Sequence, residues 1–128
     1  MIIGFGLDIV DARRIKQVLE RFGGRFLERI YSEGERAYCM ARREPELHLA
    51  ARFGAKEAFI KAVGTGRGIK WKDIEVASKP GGAPYLALRG GAKEIAREMN
   101  INKMHLTLAH DAGIGVAAVI LEVLENDE

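Results

Sequence analysis

Residues 52–66 read RFGAKEAFIKAVGTG. Good helix formers dominate the stretch, and they continue upstream through Leu47, Ala50 and Ala51 to Pro45, a residue suited to a first helical turn. Gly64 is a natural C-terminal stop. The spacing therefore predicts one helix from Pro45 to about Val63, followed by a Gly-rich loop, GTGRG, at 64–68. Phe53, Glu57 and Lys61 recur four apart and share a face. Glu57 before Lys61 is the favourable order for a surface ion pair worth ~0.2–0.5 kcal/mol. The same two residues equally suit a carboxylate for a hard metal beside a cation for a phosphate.

Upstream, residues 2–10 (IIGFGLDIV) predict a strand with Ile3, Phe5, Leu7 and Ile9 on one face and Gly4, Gly6, Asp8 and Val10 on the other. From Asp11 the apolar spacing turns helical through Ile15, Val18, Leu19, Phe22, Phe26, Leu27 and Ile30, with a break or kink at Gly23–Gly24. Ser32–Glu35 forms a capping box that opens a helix through about Arg43. Downstream, residues 73–78 and Tyr85–Leu88 predict a hairpin around Pro80–Pro84, and Gly90–Met99 a short helix. His105–Ala109 is expected as a strand, His110–Gly113 as a turn, Ile114–Val123 as a buried strand paired back on it, and Asn126–Glu128 as a frayed tail. The order is β-α-α-α-β-β-α-β-β, an α+β fold with an antiparallel sheet packed with helices in one domain, 1–128.

At 128 residues the chain has room for one domain. Hydrophobic residues at 48% and charged residues at 30% argue against disorder or a disulfide scaffold. A single cysteine, Cys39, fits a reducing compartment. The longest uncharged apolar run, 112–121, is too short for a span, and MIIGFGLD lacks a basic leader, so a cytoplasmic chain with no membrane segment is expected. A net charge of +2 does not argue for nucleic acid. Its distribution matters more. Residues 11–43 hold nine basic and five acidic side chains, a net of +4, which suits either an acidic partner or a solvated helix face.

Three features carry candidate chemistry. Asp8 interrupts an apolar strand, where an unpaired carboxylate is costly. It either caps the next helix, for which Asp11 is better placed, or faces the space left by Gly4 and Gly6, where a ligand or metal would fit. The GTGRG loop can offer amide N–H groups to an anion, but it closes a helix at the end with the wrong dipole sign, so any phosphate there depends on Lys61 and Arg67. His110-Asp111 is either an oriented imidazole for acid–base work or simply part of a chain reversal.

Taken together, four blocks resemble the acyl carrier protein synthase family, the small 4'-phosphopantetheinyl transferases: GFGLDIV at 4–10, RFGAKEAFIKAVGTG at 52–66, GGAPYLAL at 81–88 and HLTLAHDAGIGVAAVIL at 105–121. Gly54, Ala83, Thr107 and Ala109 depart from that pattern, Ala83 by removing a usual Lys. The resemblance implies Mg2+- or Mn2+-dependent transfer of 4'-phosphopantetheine from coenzyme A to a serine of apo acyl carrier protein, in support of fatty acid biosynthesis. It further implies a homotrimer with active sites at the subunit interfaces. Asp8 and Glu57 are the implied metal ligands and Lys61 the catalytic cation. Lys61, Gly64, Thr65, Gly66, Pro84 and His110 are implied to hold coenzyme A, with His110 either a cofactor contact or the general base. Arg14, Val18, Arg21, Arg25, Phe26 and Arg29 are the expected carrier-docking surface. A non-enzymatic module that binds an acidic protein or nucleotide is the competing reading.

Overall fold

The computed structural model describes residues 1–125; the tail expected at 126–128 lies outside the described residues. Strand β1 (Ile2–Asp11) leads into α1 (Ala12–Phe22), α2 (Gly24–Ile30), α3 (Glu33–Met40) and the long α4 (Pro45–Val63). A 3-10 turn, Trp71–Asp73, precedes β2 (Ile74–Ser78) and β3 (Pro84–Leu88); α5 (Gly90–Glu98), β4 (Lys103–Asp111) and β5 (Ile114–Glu122) complete the chain. The strands make two antiparallel sheets, one of three strands in the order β1-β5-β4 and one hairpin, β2-β3.

Local chemistry sets most of these boundaries. Asp11 caps α1, accepting the Arg13 N–H at 2.9 Å. Gly23, at φ 57°, ends α1 and lets α2 set off in a new direction. The capping box expected at Ser32–Glu35 is present, but α3 stops at Met40, short of Arg43. Gly64, at φ 89°, closes α4. The expected turn at His110–Gly113 is corrected: β4 runs through Asp111, and Ala112 and Gly113, both at positive φ, make a two-residue hairpin turn with Asp111 paired to Ile114.

Helix α4 is buried nearly all round, which explains why its sequence shows no clean apolar stripe. On one side Ala55, Ala58 and Ala62 lie against β1 and β5. A Cβ at Gly6 would overlap the carbonyl oxygen of Ala58, a Cβ at Gly4 that of Ala62, and one at Gly115 would sit 2.8 Å from the Ala51 nitrogen. The helix and the sheet thus meet backbone to backbone. On the other side Leu49 joins Ile15, Ile30, Tyr31 and Cys39 in a second core cluster.

Between α4 and the hairpin lies a buried ion pair. Lys56 Nζ donates to Glu35 Oε1 at 2.8 Å, to the Trp71 carbonyl at 3.2 Å and to the Ile74 carbonyl. Glu35 also accepts N–H groups from Ser32 at 2.8 Å and Val76 at 3.0 Å. Both side chains are fully buried. All three Lys56 protons and both Glu35 oxygens find partners. Removing one member alone would strand the other, at a cost of about 3–5 kcal/mol.

The β1 strand turns its small residues inward and its large ones outward. Phe5, Leu7 and Ile9 are 61%, 47% and 64% exposed. In register beside them run Ile120, Ala118 and Val116 of β5.

Two glycines of this layer separate by substitution. Gly6→Ala should prevent folding or lower the melting temperature sharply, because neither backbone can retreat. At Gly54 a Cβ would meet only ordinary contacts, 3.5 Å from Ala117 Cβ and 3.6 Å from Val10 Cγ2. Gly54→Ala should therefore stabilise the chain by about 1 kcal/mol, the helix-propensity difference, in chemical denaturation.

Candidate active site

The glycine contacts between β1 and α4 bring Asp8 alongside Glu57 and Lys61. Lys61 Nζ donates to Asp8 Oδ1 at 2.8 Å and to the Leu7 carbonyl at 3.1 Å. The i, i+4 pair offered by spacing alone gives way to a cross-element one. Asp8 lies on the inner face of β1, opposite Ala117, and does not cap α1. Asp8 and Glu57 line one cavity of about 350 Å³ with Asp11, Arg14, Val18 and Phe53.

The electrostatics of this corner are unbalanced. Burial pushes the Glu57 carboxyl above its usual range, the neighbouring Asp8 charge adds to the rise, and Lys61 opposes it. Lys61 is in turn held above its ordinary value by its hydrogen bond to Asp8 and by that charge. Two hard oxygen donors thus converge in the cavity while one of them repels the other's ionised form. Asp11 lines the same cavity, but within the described residues no three His, Cys, Asp or Glu side chains group as a metal site. A hard cation that keeps most of its ligands as water or phosphate oxygen suits such a donor set.

A second cluster forms on the other side of α4. A cavity of about 220 Å³ is lined by His110 and Pro84, together with His48, Arg52, Tyr38 and Ser78. The His48 and His110 rings meet edge on, 5.6 Å between centroids. Arg42 and Arg52 stack on the Tyr38 ring at 3.9 and 4.2 Å. Arg52 is 6% exposed, yet its Nε has no hydrogen-bond partner. Burial, then the charge of Arg52, holds His48 below its ordinary value, so it is neutral more readily than a free imidazole.

The two clusters do not meet within the chain. His48 precedes Glu57 by nine residues, which at about 100° per residue puts it half a turn around the helix. In the sheet, His110 faces Gly115 and Val10, whereas Asp8 faces Ala117 and Leu108. The pairing of His110 with Asp111 is also corrected. Both lie on β4, where alternation sends neighbouring side chains to opposite faces, so the ring that adjoins His110 belongs to His48. Gly64, Thr65 and Gly66 lie exposed beyond the end of α4, where Thr65 Oγ1 accepts the Arg67 N–H at 3.1 Å.

The basic segment surrounds a groove. Val18, Phe22, Phe26, Phe53 and Trp71 line a cavity of about 580 Å³ rimmed by Arg25 and Arg29. Its neighbour toward Asp8 shares Val18, Phe26 and Phe53, and Arg14 lies there. The break at Gly23 means that Arg25 and Arg29 do not continue the face of α1; α2 folds back and returns them to the same groove. Arg21 lies over Phe22 at 5.2 Å. Trp71, Phe53, Tyr38, His48 and Arg52 line these cavities although the sequence alone assigns them no site role. Arg52, beside the buried Ala51, and the others depend on which elements the fold places together.

A family model described as the 4'-phosphopantetheinyl transferase superfamily matches residues 4–117. The holo-[acyl-carrier-protein] synthase of Anaeromyxobacter sp. (strain K) is 50% identical over 125 residues, covering 95% of this chain and 97% of that protein. The protein of that name from Parvibaculum lavamentivorans is 47% identical over 130 residues, covering 97% and 98%. Among solved structures, the holo-[acyl-carrier-protein] synthase from Neisseria meningitidis superposes with a TM-score of 0.86 at 35% identity, over 95% of this chain and 99% of that one. The Helicobacter pylori holo-[acyl-carrier-protein] synthase, solved in complex with coenzyme A, gives 0.81 at 33% identity, over 92% and 99%.

The state of Glu57 can be tested without any ligand. A carboxyl whose folded pKa exceeds its unfolded one adds stability that is full at low pH and is lost as pH rises from the ordinary Glu value through the raised one. At neutral pH the metal-free chain should carry that loss. Glu57→Gln, which mimics the protonated form, should raise its melting temperature at neutral pH, with the advantage shrinking on acidification; an unchanged or lower melting temperature would contradict the assignment.

Proposed function

The chain belongs to the 4'-phosphopantetheinyl transferase superfamily, and we infer that it transfers the 4'-phosphopantetheine of coenzyme A to a serine of apo acyl carrier protein, releasing adenosine 3',5'-bisphosphate. The observation that carries this reading is the convergence of Asp8, Glu57 and Lys61 at the end of an Arg-rimmed apolar groove. A diphosphate under attack asks for positioning and charge neutralisation more than for covalent help.

Asp8 and Glu57 would hold Mg2+ or Mn2+, which when bound supplies positive charge beside the diphosphate and positions its oxygens. Lys61, already oriented by Asp8 and the Leu7 carbonyl, donates to the phosphate oxygens as charge moves onto the leaving group. The serine oxygen forms its bond to the pantetheine-bearing phosphorus and gives its proton to a water molecule. The bridging P–O bond breaks, and its electron pair leaves with the adenosine bisphosphate. Gly64, Thr65 and Gly66 sit one turn beyond Lys61, where their amides suit the same diphosphate.

The cavity at His110, Pro84, His48 and Arg52 suits the nucleotide end of coenzyme A, with the unpartnered Arg52 Nε and Arg42 providing positive charge without the Lys that Ala83 replaces. In this reading His110 is a cofactor contact. Its distance around α4 from Asp8 argues against its serving as base for the Asp8–Glu57 pair of its own chain. Two-chain sites resolve that separation. The apolar outer face of Phe5, Leu7 and Ile9, in register with Val116, Ala118 and Ile120, supports a homotrimer in which each site takes Asp8, Glu57 and Lys61 from one subunit and His110 from the next. Arg14, Arg21, Arg25 and Arg29 steer an acidic carrier, and Val18 and Phe26 give it apolar contact.

Incubation with coenzyme A, Mg2+ and an apo carrier protein should add the mass of one phosphopantetheine to the carrier. Asp8→Asn and Glu57→Gln should each cut turnover at least ~100-fold while the protein stays folded. An unmodified carrier with the wild-type chain would leave the binding-module reading in place.

Shared sites predict complementation. Asp8→Asn and His110→Ala chains, each strongly impaired alone, should recover roughly a quarter of wild-type turnover when unfolded and refolded together at equal amounts, since one interface in four then joins two intact halves. No recovery, or a fully active monomer in sedimentation, would exclude sites shared between chains.

A further inference from the structure

The transfer reaction leaves Lys56 and Glu35 without a chemical role, yet they form the most completely satisfied polar group of the interior. Lys56 Nζ reaches both carbonyls that bracket the 3-10 turn, Trp71 at 3.2 Å and Ile74, and Glu35 at 2.8 Å. Glu35 reaches forward to Val76 on β2 at 3.0 Å and back to Ser32 at 2.8 Å. The pair therefore pins the turn that carries Trp71 to α4 and α3.

Trp71 is the sole tryptophan of the chain. Its ring stacks on Phe53 at 5.1 Å and 29°, and both rings line the groove between Phe26 and the Arg25 and Arg29 rim. The turn's other anchors centre on Asp73: its carboxylate accepts N–H groups from Lys70 at 2.9 Å and Gly91 at 3.2 Å, and its carbonyl accepts the Arg89 N–H at 2.9 Å. The Lys70 bond closes the turn on itself, and the Gly91 and Arg89 bonds tie it to the start of α5, so none of them joins Trp71 to α4. The groove wall thus depends on a charge pair buried behind it.

We propose that Lys56 is a positioning residue that, clamped by Glu35, holds Trp71 against Phe53 and so shapes the groove in which the acidic carrier protein docks. The proposal rests on the carrier reading above. It differs from a purely structural role in what it predicts. A structural pair affects folding alone, whereas this one separates the two substrates: it touches the groove wall and reaches neither Lys61 nor the Arg52 cavity.

The test is a double variant, Glu35→Gln with Lys56→Met, which leaves no buried charge unpaired. It should fold with an unchanged far-ultraviolet spectrum. Its Trp71 emission, measured without partner, should shift to longer wavelength and become more open to acrylamide quenching. The KM for apo carrier should rise roughly tenfold, the loss of one well-placed contact, while the KM for coenzyme A stays within about twofold. Trp71→Ala, made separately in the intact protein, should raise the carrier KM to the same degree. A folded double variant with unchanged emission overturns the proposal, as does a carrier KM unmoved by the double variant or by Trp71→Ala. If the wild-type chain modifies no carrier at all, the parent reading has failed; a working wild type with an indifferent variant isolates the failure to the clamp.

Discussion

Helix α4 lies on the β1–β5 layer at a separation that only a hydrogen side chain allows. Gly4 and Gly6 on one strand and Gly115 on the other present bare backbone to Ala62, Ala58 and Ala51. Everything that makes the site depends on this approach. With Cβ atoms at those positions the helix would ride higher, and Glu57 and Lys61 would lose their place beside Asp8. The energetic return is dense packing among small side chains, and the cost is a strand with little tolerance for substitution. Glycine in β1, which weakens the strand as a strand, is what brings Asp8 beside Glu57 and Lys61.

Around α4 the charges fall into three environments. Toward β1, Asp8, Glu57 and Lys61 meet at a partly open edge, where burial and like charge hold Glu57 partly out of balance. Toward the hairpin, Lys56 and Glu35 are fully enclosed and fully bonded. Burial lowers the Lys56 pKa and Glu35 opposes that shift. Toward β4, Arg52 is buried with Nε unpartnered beside two imidazoles and a stacked tyrosine. The satisfied pair gives rigidity. On the proposed reading, one helix with polar residues on several sides divides cofactor, metal and partner functions among its faces.

The three-stranded sheet has an unusual distribution of bulk for a surface layer. Along β1 the inner face is small, with Gly4 and Gly6, and the outer face carries Phe5, Leu7 and Ile9. An isolated sheet of this kind leaves apolar area in water, which other copies of the chain can cover. The same arrangement that lets α4 approach closely therefore turns the large side chains outward. Close helix packing and an exposed apolar outer face follow from one alternation along β1.

Much of this was legible in the order of residues. The helix from Pro45 to Val63, its stop at Gly64, the Ser32–Glu35 capping box and the anomaly of Asp8 all rest on local chemistry that neighbouring residues determine by themselves. The motif of 52–66 likewise marked Glu57 and Lys61 as either an ion pair or a metal and phosphate pair, and the resemblance it carries pointed to the family. What local chemistry does not contain is distance between segments. That Lys61 bonds Asp8 instead of Glu57 follows from the glycine-mediated contact of β1 with α4, residues more than fifty positions apart. That β4 runs on through His110 depends on its pairing with β5, which supplies the hydrogen bonds that a turn would have lacked. The placing of His110 beside His48 and Arg52, half a turn around α4 from Glu57, is decided by how the helix crosses the sheet. The sequence alone determined which groups could do chemistry; the tertiary structure decided which of them stand together, because burial and contact between distant segments are properties of the packed chain.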